Sequence, residues 1–133
     1  MIIYWLERRD IDLHHGELVA DYGGLSGPPN EGVLEATLAR PQNLLAYQPE
    51  STIFELAASY GYGLACNHCS PDGYKRAALA AMDVFLATNG QDLTADEAEA
   101  VVVVNAVAAG ELSQEELTEW LESNSSPLAE GGL

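Results

Sequence analysis

At 133 residues and 47% hydrophobic, the chain is long enough for one domain with one core and too short for two of ordinary size. It carries 21 Asp and Glu against 5 Lys and Arg, a net charge of −16, which excludes general nucleic-acid binding because phosphate backbones reward spread-out cations. No apolar run reaches the roughly 18 residues of a membrane span, and residues 1–6 lack the basic flank and cleavage site of a leader, so the expected location is the cytoplasm, away from membranes.

Residues 2–6 are β-branched and aromatic and predict a short strand. Ile11, Leu13, Leu18 and Val19 sit at helical spacing, and Tyr22-Gly23-Gly24 ends that helix. A second helix runs from Glu31 to Ala39 and stops before Pro41, since the residue before proline avoids the helical conformation; residues 42–50 then read as a loop. Three helix starts carry a Ser/Thr-x-x-Glu capping box, in which hydroxyl and carboxylate satisfy orphan amides: Thr52 with Glu55, Thr94 with Glu97, and Ser113 with Glu116. The first opens an almost wholly apolar helix to Cys66, expected at the centre of the fold. Residues 73–88 form a similar Ala-rich helix ended by Asn89-Gly90. The third box opens onto Leu117, Trp120 and Leu121. The Ser/Pro/Gly-rich stretch 123–133 reads as a flexible, frayed tail behind a domain of residues 1–122. The fold class is all-α: a compact bundle of about six helices with a short N-terminal strand or hairpin.

The dense polar chemistry lies in Asn67-His68-Cys69-Ser70-Pro71-Asp72-Gly73-Tyr74-Lys75-Arg76, where a loop turns into a helix. A helix start offers unpaired amides and the positive end of the macrodipole, so anions bind there. Gly73 lets the backbone approach a phosphate. Lys75 and Arg76 stand at the wrong end of a helix for cations unless an anion is present. Asp72 suits Mg²⁺, which takes one or two carboxylates plus phosphate oxygens. His68, with an ordinary pKa of about 6.5, suits a general base. Together they are the parts of phosphoryl or nucleotidyl transfer. The plain alternative is a polar loop with Asp72 as helix cap and the two cations on a solvated face.

Cys66 and Cys69 form a C-x-x-C, but only His68 and Asp72 lie near enough in sequence to complete a zinc site, and the βαβ context of a redox site is missing. Two small buried thiols are expected. His14 and His15 are adjacent and point apart on a helix, so they read as surface side chains. Trp5, Trp120 and the tyrosines read as core.

The segment resembles the Fic/Doc motif His-x-Phe-x-(Asp/Glu)-Gly-Asn-(Gly/Lys)-Arg, with His68, Asp72, Gly73, Lys75 and Arg76 on matching positions. Lys75 before the Arg is similar to the death-on-curing (Doc) branch rather than the adenylylating Fic branch. The likeness extends over roughly residues 2–122, through Tyr22-Gly23-Gly24, residues 34–41, residues 62–65, Ala77-Ala78-Leu79, Asn89-Gly90 and residues 109–113. The resemblance implies a toxin of a toxin–antitoxin pair that transfers the γ-phosphate of ATP to a threonine of elongation factor Tu and is neutralised by a small antitoxin. It also implies roles: His68 as general base, Asp72 holding Mg²⁺, and Gly73, Tyr74, Lys75 and Arg76 at the nucleotide phosphates. Three positions depart from the motif: Cys69 stands for Pro, Ser70 for Phe and Tyr74 for Asn. Two further readings therefore stay open, AMP or other nucleotidyl transfer and a binding protein without turnover. Ser126 with Glu130-Gly131 resembles the self-inhibitory Fic motif, but Leu79 replaces the Arg that such a Glu meets, and the tail reading is preferred.

Overall fold

A computed structural model describes residues 2–7, 31–66 and 74–128. Over these residues the chain forms α1 (Glu31–Tyr47), α2 (Ile53–Cys66), α3 (Tyr74–Thr88), β1 (Gln91–Leu93), α4 (Glu97–Ala108), α5 (Gln114–Ser123) and β2 (Ser125–Pro127). The all-α architecture matches expectation, with five helices and one small antiparallel ribbon among the described residues. The helix expected over residues 11–21 lies outside them.

The sequence of α2 explains its central place. Thr52 and Glu55 close the expected capping box, each accepting the other's amide at 3.1 Å. Residues 56–61 and 63–65 are then buried, because α2 packs against α1, α3, α4 and α5. Two glycines let neighbours approach. A Cβ on Gly61 would meet Met82 Cγ of α3 at 2.8 Å and Cε at 2.9 Å, and one on Gly63 would meet Thr37 Cγ2 of α1 at 2.9 Å. Gly61→Ala lowers stability by about 1–2 kcal/mol, since overpacking against buried Met82 outweighs the gain in helix propensity. A lower urea midpoint with an unchanged slope is the expected record.

The hydrophobic centre joins Tyr60, Leu56 and Leu64 of α2 to Met82, Phe85 and Leu86 of α3, all fully buried. The Phe85 ring lies 5.1 Å from Tyr60 and 6.1 Å from Trp5. Trp5 is half-buried there, as a core reading requires, but Tyr4 and Tyr47 are exposed, which corrects that reading for those two rings.

Four local expectations give way to longer-range contacts. Helix α1 does not stop before Pro41 but runs through it to Tyr47. Proline costs one backbone bond and about 3 kcal/mol in an isolated helix. Here Thr37 and Pro41 are buried and Leu44 and Leu45 are partly buried, so the apolar period continues across the proline and packing offsets the loss. Residues 2–7 contain no strand. Their backbone is held by side chains instead: Asn89 Oδ1 accepts from Tyr4 N at 2.9 Å, Asn89 Nδ2 donates to Tyr4 O at 3.0 Å, and Tyr60 Oη accepts from Leu6 N at 3.1 Å.

Thr94 does not cap α4. Its hydroxyl donates to Asn124 O at 2.9 Å, and Asp96 is the cap, accepting from Glu99 N at 3.4 Å. The frayed tail expected from Ser123 is also corrected. Residues 125–127 pair with β1 in the register Gln91↔Pro127, Asp92↔Ser126 and Leu93↔Ser125. The bond from Leu128 N to Gly90 O at 3.0 Å continues the ribbon, and Gly90, at φ 92°, turns the chain into it. Residues 129–133 lie outside the described residues. The expected box at Ser113 and Glu116 is present and opens α5, whose Leu117 and Leu121 are buried. No described helix is long and apolar enough to cross a membrane.

Candidate active site

Helices α2 and α3 lie side by side through Gly61 and Met82, and residues 67–73 join the end of one to the start of the other. Both attachment points are core. Leu64 and Ala65 are buried at the end of α2, and Ala77 and Ala78 at the start of α3. His68, Cys69, Ser70, Asp72 and Gly73 fall in the joining segment and lie outside the described residues.

Tyr74, Lys75 and Arg76 are the first three residues of α3. The expectation that a loop turns into a helix here agrees with the helix start at Tyr74. Lys75 is exposed. The start of α3 differs from the others in charge. Helices α2, α4 and α5 carry acid in their first turn, at Glu55, at Glu97 and Glu99, and at Glu115 and Glu116. Helix α3 has none and carries Lys75 and Arg76 instead. Cations there oppose the macrodipole by a few tenths of a kcal/mol up to about 1 kcal/mol, a conflict that a bound anion removes. A helix start that carries cations at the positive end of the macrodipole suits an anion on charge.

Cys66 closes α2. It is a free thiol, half-buried, and its Sγ donates to Val107 O at 3.4 Å. Burial pushes its pKa up, against smaller lowering effects from a Tyr62 hydrogen bond and the Arg40 charge. The thiol stays protonated at neutral pH and packs as a small apolar residue. Cys69 lies outside the described residues, as do His14 and His15. Ser126 sits in β2 and starts no helix. Trp120 is half-buried and donates through Nε1 to Glu99 Oε1 at 3.2 Å.

Sequence reading passed over Arg40 of α1. Its Nη2 donates to Gln114 Oε1 at 2.9 Å and its guanidinium lies 5.8 Å from the Tyr62 ring centre, against the last turns of α2. The available signal was its rarity, one of five cations in the chain. With Lys75 and Arg76 it places every cation of the described residues at the two helix ends that bound residues 67–73.

The Fic/DOC family profile matches residues 5–86, which include the whole joining segment. The chain is 33% identical over 107 residues to a protein named "Protein kinase doc" from Escherichia phage P1, covering 80% of this chain and 84% of that one. It is 37% identical over 93 residues to a protein named "Toxin Doc" from Mycolicibacterium smegmatis, covering 69% of each. A profile over well over half of the chain and two Doc relatives at this identity lead to one conclusion: the chain belongs to the Fic/DOC family, in its Doc branch.

Proposed function

We propose that this chain is a Doc-like toxin of a toxin–antitoxin pair, an ATP-dependent kinase that phosphorylates a protein hydroxyl, with a threonine of elongation factor Tu as acceptor. The observation that carries the reading is the 33% identity to a protein kinase named doc across four-fifths of the chain, motif included. Lys75 next to Arg76 supports phosphate transfer over nucleotidyl transfer, and their place at the opening of α3 suits a bound polyphosphate. A small antitoxin is the expected partner and the cytoplasm the expected location.

In this mechanism His68 accepts the proton of the acceptor hydroxyl, whose oxygen bonds to the γ-phosphorus as ADP leaves. Gly73, Lys75, Arg76 and the first amides of α3, that of Tyr74 included, hold and orient the phosphates. Asp72 would hold Mg²⁺, which when bound neutralises phosphate charge. Positioning and charge neutralisation supply most of the rate, since phosphoryl transfer asks little covalent chemistry of the protein.

Incubation with elongation factor Tu, Mg²⁺ and ATP labelled at the γ- or the α-phosphate tests the reading. Label from γ is expected. Label from α instead would make the protein a nucleotidyl transferase, and label from neither would make it a binding protein. Ser70 and Tyr74, which stand for Phe and Asn of the motif, are the residues that would account for that last outcome. Tyr74→Asn restores a compact amide in the anion cradle. It raises transfer about 10- to 100-fold, the worth of one hydrogen bond to a charged group. An unchanged rate in that variant would show that Tyr74 does not limit turnover.

A further inference from the structure

Arg40 is costly where it stands. The chain has 21 acids for 5 Lys and Arg, so a surface cation has carboxylates to choose from. Arg40 is instead half-buried, and its Nε is fully buried with no hydrogen-bond acceptor among the described residues. Leaving such a donor unpaired is unfavourable, and an apolar side chain of similar length would pack there without that cost. Packing alone does not account for an arginine.

Its contacts converge on one place. A Cβ on Gly63 would meet Arg40 Cδ at 3.1 Å and Nε at 3.2 Å. The guanidinium lies over the Tyr62 ring at cation–π distance, 5.8 Å, while Nη2 reaches across to Gln114, the first residue of α5. Tyr62 directly precedes and Gly63 opens the last turn of α2, where the final backbone carbonyls lack intrahelical partners and the macrodipole is negative. Helix α2 has no basic residue of its own in its last turn. Arg40 supplies from α1 a cation near the end of α2, and its bond to Gln114 ties it to α5 as well.

We propose that Arg40 is a positioning residue: it clamps the C-terminal turn of α2 between α1 and α5 and thereby fixes where the chain leaves that helix, two residues before His68. Its consequence for catalysis rests on the phosphotransfer reading above, whereas the clamp itself is measurable without turnover.

Hydrogen–deuterium exchange on the full chain tests it, comparing wild type with Arg40→Met and Arg40→Lys. Met keeps the length and removes the charge and the donors. Arg40→Met is expected to speed exchange about 10-fold or more in peptides spanning residues 60–66 and to leave residues 101–107 of α4 within about 2-fold, the pattern of local rather than global opening. Arg40→Lys keeps the charge without the planar fork and falls between the two. No change at 60–66, or an equal rise in α4, overturns the proposal. If Arg40→Met does not fold, Arg40→Lys decides on the same peptides, with a rise of about 3-fold confined to 60–66 expected. In the transfer assay, Arg40→Lys lowers kcat and leaves KM for ATP within about 2-fold. A wild-type protein that transfers no label would sink the functional reading and leave the exchange result standing.

Discussion

His68→Ala lowers γ-phosphate transfer by about 10²- to 10⁴-fold, the range a positioned general base supplies. ATP affinity is expected to stay near wild type, because the residues proposed to hold the phosphates, Gly73, Lys75 and Arg76, are untouched. The pH profile carries a second signature. An imidazole accepts a proton only when neutral, so a rate that depends on His68 as base falls on the acid side of that group's titration. The variant loses that inflection along with the rate. A variant that keeps both the rate and the inflection would remove His68 from the mechanism, and with it the assignment carried by the motif.

Phe85→Ala has the largest expected effect on stability. Phe85 is fully buried where α2 and α3 meet, with the rings of Tyr60 and Trp5 against it. Removing the ring forfeits its transfer energy and opens a cavity, together about 3–5 kcal/mol. Domains of this kind are stable by only about 5–15 kcal/mol, so the loss is a large share of the total. Thermal unfolding is expected to shift down by about 10–20 °C. The cavity also loosens the seat of Trp5, which anchors residues 2–7. A shift of under about 3 °C would mean that the ring is not packed as the distances require.

Most helices were legible because their signals are local. The capping boxes at Thr52 and Ser113 form as read, since a hydroxyl and a carboxylate three residues apart need only each other. The same logic fails at Thr94, whose hydroxyl is taken by Asn124, 30 residues away, leaving Asp96 as the nearest cap. It fails at Pro41 because the rule for the residue before proline describes an isolated chain, whereas the buried stripe Thr37, Pro41, Leu44 and Leu45 rewards continuing the helix. It fails at residues 123–128 because a Ser/Pro-rich stretch has no strand signal of its own and pairs only where Gln91–Leu93 presents an edge. The polar segment was legible by residue type, and the helix start at Tyr74 agrees with it.

By itself the sequence determined the helical class, the acidic surface, the central place of residues 53–66 and the motif that marks the Doc branch. All of these rest on composition, on spacing within one helix or on a contiguous pattern. The tertiary structure alone decided that α1 runs through Pro41, that a ribbon closes residues 125–127 onto 91–93, and that Arg40 meets the end of α2. Each of those depends on contacts between elements distant in sequence, and their energies outweigh the local preferences that a linear reading weighs.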